Sequence, residues 1–501
     1  MQQRGTLTML LEPEPPTLVA LTNCGDPSMF VSAKVTEGLL AYDFDLTPRP
    51  QLATAWSVSP DRREFTFRLR RGVRWHDGVP FTSHDVASAI ALLRDLHGRG
   101  RTTFANVIAV RTPSSHTVVI ELSQPAPFLL YAFAASESPI TPAHLYNSGD
   151  ASASPNGAKP IGTGPFVFRE WVKGSHVAFE RNPHYWDSPK PHVDQLVVRF
   201  IESPQEKLAA IETGTIDLAP GTPVPLDAIR RIKANPNLSV VTDGYQYTNQ
   251  VVRLEFNLDH PILGRRAIRQ AIAHTIDRQT IIDQAWFGYG EAAVGPISPD
   301  LKRFHSPGLC APDFNPAAAE QIMDAAGLPR GTDGIRLRLY LDYVPAGDGY
   351  RRTAECVAQT LATVGIAAEV RMQDFPAYIR RIYTDRDFAF AISRMNNMFD
   401  PTVGVQRVFW SKNFRPGVAF SNGSHYQSAE ADDLLQRAAI EPDPATRISL
   451  FRLFQERVIE DLPDLTLLAP KQITIASKRI FDHTVTADGI AGNLADVRIR
   501  T

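Results

Sequence analysis

At 501 residues the chain is longer than one hydrophobic core usually serves, so two or more lobes are expected. Its 43% hydrophobic and 21% charged residues balance to a formal charge of −2, which argues against nucleic acid as a partner, since that binding relies on clustered Lys and Arg. The longest wholly apolar run, about Phe128–Ala135, is far short of the roughly 20 residues a membrane-spanning helix needs.

Taken in chain order, Thr6–Leu11 reads as a short opening strand. Phe65, Phe67 and Leu69 alternate with Glu64, Thr66, Arg68 and Arg70, the period-two pattern of a half-buried strand. Asp77-Gly78 follows as a tight turn, and Thr82 or Ser83 caps a helix that begins near Asp85. Further on, Ala267, Ile268, Ala271, Ile272 and Ile276 sit at helical spacing. Asn315-Pro316 opens another helix as N-cap and first residue, and Gly327 closes it. Asp443-Pro444 opens a third, with the apolar stripe Ile448, Phe451, Phe454, Val458 and Ile459. Strands and helices are interspersed throughout, which predicts mixed α/β lobes. The three cysteines, Cys24, Cys310 and Cys356, are too sparse for a disulfide scaffold and too scattered for a zinc site.

No catalytic constellation emerges. There is no G-x-S-x-G elbow, no Walker A loop and no H-E-x-x-H. Gly162-Thr163-Gly164 is followed by Pro, which suits a turn rather than a phosphate-cradling helix start. The 13 His residues show no metal-ligand spacing, and Asp432-Asp433 reads as a solvated helix start. No enzyme activity, cofactor or metal is expected.

Five segments carry a resemblance. The stretch Leu52–Ala89, LATAWSVSPDRREFTFRLRRGVRWHDGVPFTSHDVASA, is similar almost position for position to the signature of the large bacterial extracytoplasmic solute-binding proteins of family 5 (cluster C), the peptide/opine/nickel group. GTGPFVFREWVKGSHVAFERNPHYW (Gly162–Trp186), AIRQAIAHTIDRQTII and FNPAAAEQIMDAAGLP (Phe314–Pro329) resemble its later hallmarks in the expected order, and CVAQTLATVGIAAEV (Cys356–Val370) resembles the passage that follows. The resemblance implies the two-lobed, Venus-flytrap periplasmic-binding-protein fold, α/β in class. Lobe I would span 1–250, with an extra subdomain at about 46–160. Lobe II would span 251–466, and 467–501 would return to lobe I. Strand-like crossovers near Tyr247–Phe256 and Leu465–Ile475 would form a hinge that closes on the ligand. It also implies a periplasmic monomer, with Met1 standing where a removed leader ended. Its partners would be a small-molecule ligand and the transmembrane subunits of an ABC permease, through which alone it would meet the membrane.

The departure from the family pattern lies in Ala391–Trp410, AISRMNNMFDPTVGVQRVFW. In peptide-binding relatives this stretch carries a Gly-Trp pair and, three residues after the Trp, an Asp that pairs with the peptide's free ammonium. Aligning Asp400-Pro401 with the family's acidic-Pro step puts Arg394 at the Trp position and Asn397 at the Asp position. Asn397, with Asn396 beside it, brings hydrogen bonds but no charge, while Arg394 adds a planar cation suited to carboxylate or phosphate. The expected ligand is therefore anionic or sugar-bearing, of the opine or conjugate type. The alternatives are an oligopeptide or metal-chelate receptor with Asp400 as amine anchor, and a ligand sensor uncoupled from transport. Further candidates are Thr22, Asn23 and Cys24 after the first strand, and Glu137 and Ser138 near a family cleft segment. Tyr245, Tyr247 and Asn249 precede the first crossover. Arg253 stands where an apolar residue is usual, as a buried or cleft-facing charge, and Trp410 is a candidate wall.

Overall fold

The computed structural model describes residues 5–146 and 150–500. The fold is α/β. The chain divides into two compact units, Met1–Tyr247 with Gln472–Thr501 and Thr248–Lys471, so the backbone crosses from one to the other and back. All three cysteines are free thiols.

The first unit is built on a mixed seven-stranded sheet in the order Leu238–Val241, Thr474–Ser477, Leu218–Ala219, Thr6–Leu11, Gln195–Phe200, His176–Arg181 and Phe166–Val172. The opening strand lies parallel to Gln195–Phe200, and its Leu7, Met9 and Leu11 enter a core shared with Val31, Val35, Phe166, Leu196 and Val198. Burying side chains of this size contributes about 1.5–3 kcal/mol each. A separate antiparallel sheet orders Ala53–Val58, Glu64–Leu69, Thr117–Leu122 and Val107–Ser114. Phe65, Phe67 and Leu69 are buried in it, as their alternation predicts. Thr82 caps the Ser83–Leu96 helix, and its N–H donates to the Asp85 carboxylate at 2.8 Å.

The Gly162–Trp186 segment has a packing reason for its glycine. A Cβ on Gly162 would stand 1.9 Å from the Val35 carbonyl oxygen, so only glycine permits this approach. The contact brings the segment against Glu37, which is fully buried. Tyr185 Oη donates to Glu37 Oε1 at 2.8 Å, and Trp186 Nε1 and Thr163 Oγ1 donate to Oε2, each at 2.9 Å. Burial pushes this carboxyl up to about 7, the Trp186, Tyr185 and Thr163 donors holding it from rising further.

The second unit centres on a six-stranded sheet ordered Gly290–Ala292, Asp464–Pro470, Gln250–Phe256, Phe390–Asn396, Leu337–Tyr343 and Ile366–Arg371. The two strands at the crossovers, Gln250–Phe256 and Asp464–Pro470, are antiparallel neighbours. Leu337–Tyr343 runs parallel to the strands on both its sides. The predicted caps are present. Asn315 Oδ1 accepts from Ala318 N at 3.0 Å, Gly327 takes a φ of +76°, and Asp443 Oδ2 accepts from Thr446 N at 2.8 Å. Ile268, Ala271, Ile272 and Ile276 are buried, whereas Ala267 is exposed at the first turn. The stripe of the Pro444–Asp461 helix is corrected at one end: Phe451, Phe454 and Val458 are buried, but Ile448 is exposed. Arg447 takes the inward position there, because its guanidinium reaches a buried carboxylate described below.

The raised Glu37 value fixes a sign. The folded protein holds this proton more tightly than the unfolded chain, whose Glu titrates near 4.5. The stabilisation is complete below pH 4.5 and is lost as pH rises through about 7, by up to about 3 kcal/mol. Urea unfolding of wild type and Glu37→Gln across that range should show a steeper fall with pH for wild type; parallel profiles would refute the assignment.

Candidate functional site

The Phe390–Asn396 strand and its partner Gln250–Phe256 supply the groups of most interest. They pair antiparallel, with Gln250 opposite Asn396 and Val252 opposite Arg394. Side chains two apart share a face, so Arg394, Asn396 and Gln250 project from one side of the sheet, and Ser393, Arg253 and Glu255 from the other. Arg394, Asn396 and Gln250 are half-buried. Among the described residues the Arg394 guanidinium has no hydrogen-bond or ion-pair partner. The Asn396 side chain is oriented: its Oδ1 accepts from Gln250 Nε2 at 2.9 Å, and Gln250 Oε1 accepts from Tyr350 Oη at 2.7 Å.

The next residues in the segment are engaged internally. Asn397 is fully buried; its Nδ2 donates to the Pro296 carbonyl at 3.2 Å and its Oδ1 accepts from Ser298 N. Its backbone N–H donates to the Asn249 carbonyl at 2.9 Å. Gly404 packs so closely on this turn that a Cβ would fall 2.0 Å from the Asn397 carbonyl oxygen. Asp400 is also fully buried. It caps the Pro401–Gly404 turn through Thr402 N at 2.9 Å and receives both arms of Arg447, at 2.8 and 2.7 Å. Burial works to raise its pKa, but the Arg447 charge and its hydrogen bonds, with Arg303 and Thr402 N, hold it below the ordinary carboxylate value. This corrects the reading of Asp400 as an amine anchor, since a carboxylate in a buried two-pronged pair has no position left for a ligand ammonium.

Of the two placements expected for Arg253, buried or cleft-facing, the structure has the buried one. Arg253 is 1% exposed and bonds Asp464 Oδ2 at 2.7 Å and Glu255 Oε2 at 2.8 Å. Burial raises the pKa of both carboxyls, and Arg253 opposes the rise. Asn249 is buried at a φ of +35°. Trp410 is half-buried, with Lys412 Nζ 5.3 Å from its ring centroid and its own Nε1 buried without a partner among the described residues.

In the first unit the candidates divide in the same way. Thr22 is exposed, and Asn23 Oδ1 accepts from Gly25 N at 2.8 Å. Cys24 is half-buried, and its carbonyl accepts from Arg99 Nη1 at 3.1 Å. Arg99 also pairs with the buried Glu137, whose Oε2 accepts from Nε at 2.7 Å, so Glu137 braces the Cys24 loop. Ser138 is buried with no partner for its hydroxyl among the described residues. Tyr247 donates to the Tyr131 carbonyl at 2.7 Å, and the Tyr245 hydroxyl accepts from Gly221 N at 2.9 Å and meets Thr474 Oγ1 at 2.6 Å. Both tyrosine hydroxyls are thus tied to the unit's own frame.

Among the described residues no group of three or more His, Cys, Asp and Glu side chains is placed to hold a metal, and no helix is long and apolar enough to cross a membrane. Sequence reasoning missed Gln250 and Tyr350. Neither lies in a recognisable motif, and their relation to Asn396 exists only in the strand register.

The fold is that of the two-lobed solute-binding proteins. It matches NikZ from Campylobacter jejuni in complex with Ni(L-His) with a TM-score of 0.84 at 22% identity, covering 99% of both chains. It matches the binding protein AgaA from A. tumefaciens R10 in complex with agropinic acid with a TM-score of 0.80 at 25% identity, again covering 99% of both chains. Protein XP55 of Streptomyces lividans is 30% identical over 473 residues, 91% of this chain and 81% of that protein. Residues 47–415 match the bacterial extracellular solute-binding proteins, family 5 Middle, and the chain belongs to that family. Its members bind solutes and are not enzymes.

The Asp400–Arg447 pair generates a stability prediction. Asp400→Asn leaves a buried guanidinium without its counter-charge and should lower the unfolding free energy by about 3–5 kcal/mol. The double change Asp400→Leu with Arg447→Met should recover most of that loss in urea titrations. Equal losses in both would show that the charge pair is not what matters there.

Proposed function

We propose that this chain is the substrate-binding protein of an ABC importer, acting in the periplasm, and that it captures a polar solute with an anionic head, of the opine or sugar-conjugate type. The carrying observation is Arg394: a half-buried guanidinium with no partner among the described residues, on the strand that in peptide-binding relatives supplies a carboxylate. A cation in such a position is poorly solvated and gains most from an anion that it can grip with two parallel N–H bonds. Asn396 adds an amide two residues away on the same face. Asn397 and Asp400, the two residues that would favour a cationic ligand end if either bore a free carboxylate, carry no available negative charge. The likeness to AgaA, a protein in complex with agropinic acid, supports the same ligand class.

The test is thermal unfolding against agropinic acid and other opines, sugar phosphates, oligosaccharides, N-blocked peptides and free peptides. A ligand at a hundred times its dissociation constant adds about 2.7 kcal/mol and shifts the midpoint visibly. Stabilisation by acidic or sugar-bearing members, abolished in Arg394→Ala, is the expected result. Stabilisation by free peptides that survives Arg394→Ala would replace this reading with a peptide receptor.

A further inference from the structure

We propose a second ligand site in the second unit, beyond the end of the Phe390–Asn396 strand opposite to Arg394, that takes a small organic acid: a carboxylate on a compact apolar body. Strand pairing makes the space for it. Leu337–Tyr343 pairs with Ile366–Arg371 from Leu337 onward, but with Phe390–Asn396 only from Leu341. The sheet therefore has a step beside Leu337–Tyr340. A cavity of about 410 Å³ lies at this step, a volume within the range of small-molecule sites. Its apolar floor is Leu339, Phe388 and Ala389, each buried. Along the chain Ala389 and Arg394 stand roughly 16 Å apart at the rise of an extended strand. The two sites are thus distinct, and this one does not rest on the Arg394 reading.

The polar groups around the cavity have donors left over rather than acceptors. Its two carboxylates are engaged by the protein. Asp259 Oδ2 accepts from Arg386 Nη2 at 2.7 Å, and its Oδ1 meets His425 Nδ1 at 2.8 Å. Asp387 Oδ2 accepts from Arg381 Nη1 at 2.9 Å, and the Asp387 side chain is 71% exposed, so its other oxygen is open to water. Arg371 gives Nε and Nη2 to the Asp342 carboxylate, at 3.1 and 2.6 Å. Its Nη1 stands 3.7 Å from Asp387 Oδ2, too far for a hydrogen bond. Arg338 gives only Nη2, to Asp333 Oδ2 at 2.8 Å, in a pair exposed to solvent. The Nε and Nη1 of Arg338 have no partner among the described residues. His260 adds a third donor, and its tautomer is set by the main chain: Nδ1 accepts from the backbone N–H groups of Ile262 and Leu263, at 3.3 Å each. The ring proton then sits on Nε2. Burial lowers the pKa of this ring and keeps it in that neutral form. A group entering the cavity thus meets guanidinium and imidazole donors over an apolar floor. A carboxylate accepts from more than one of them while its hydrocarbon body covers the floor. A bare phosphate would leave that floor wet and most of the volume empty.

The experiment measures binding of benzoate, benzamide and inorganic phosphate by calorimetry to wild type, Arg338→Glu and Arg394→Ala. Benzoate and benzamide share size and shape and differ in charge. Wild type should bind benzoate about tenfold or more tightly than benzamide, and phosphate more weakly than benzoate. Arg338→Glu should weaken benzoate by about tenfold or more. Its side chain is 68% exposed, so the exchange leaves the core untouched. Arg394→Ala should bind benzoate as wild type does. Benzoate binding that Arg338→Glu leaves intact, or that Arg394→Ala abolishes, overturns the assignment. Equal affinities for benzoate and benzamide, phosphate bound as tightly as benzoate, or no benzoate binding by wild type overturn it as well.

Discussion

The second unit depends on a guanidinium that water does not reach. Glu255 and Asp464 face each other directly across adjacent antiparallel strands, an arrangement that like charges alone would push apart. Arg253 lies between them and bonds both. An ion cluster this deep contributes little net stability compared with a well-packed apolar core, but it is costly to misplace by one residue. The Asp464–Pro470 strand carries an extra residue opposite the Val252–Arg253 step. The bulge lets the pairing on one side of it satisfy the charges and on the other continue the ladder. On its other edge the same strand pairs without a bulge with Phe390–Asn396, and there Gln250 stands opposite Asn396.

The same segment divides its polar groups between frame and surface. A strand, a turn and a short capped helix run across Phe390–Gly404, and Asp400 is held inside by Arg447. Asn397 is bonded to the Pro296–Ser298 backbone, whereas Arg394 and Asn396 stand half-buried on the sheet face. Neighbouring residues of one strand and turn thus serve opposite ends, some spent on the frame and some left at its surface.

Local features were legible in the sequence because they are written locally. The caps at Thr82, Asn315 and Asp443 each need only a side chain and an N–H two or three residues on, and all three are present. The family signature was legible for a similar reason, as contiguous motifs. Arg253 stood out as a charge in an apolar run, but its two partners lie two residues and 211 residues away, so sequence gave its oddity and not its answer. Ile448 was misread because the helical period fixes the width of a buried stripe and not its angle, and the angle here is set by Arg447 reaching a carboxylate 47 residues earlier. Tyr350 and Gln250 were invisible, being 100 residues apart and joined through a register no local pattern encodes.

Asn397 has a further consequence. Both ends of its amide are bound to backbone atoms of a separate loop, and the turn that carries it is closed over by a glycine that admits no side chain. A carboxylate at this position would set its oxygens against the Pro296 carbonyl and lose one of the two bonds outright. An exchange of amide for carboxylate here is therefore not a local change: main-chain geometry holds the residue, and the Pro296–Ser298 loop would have to move along with it.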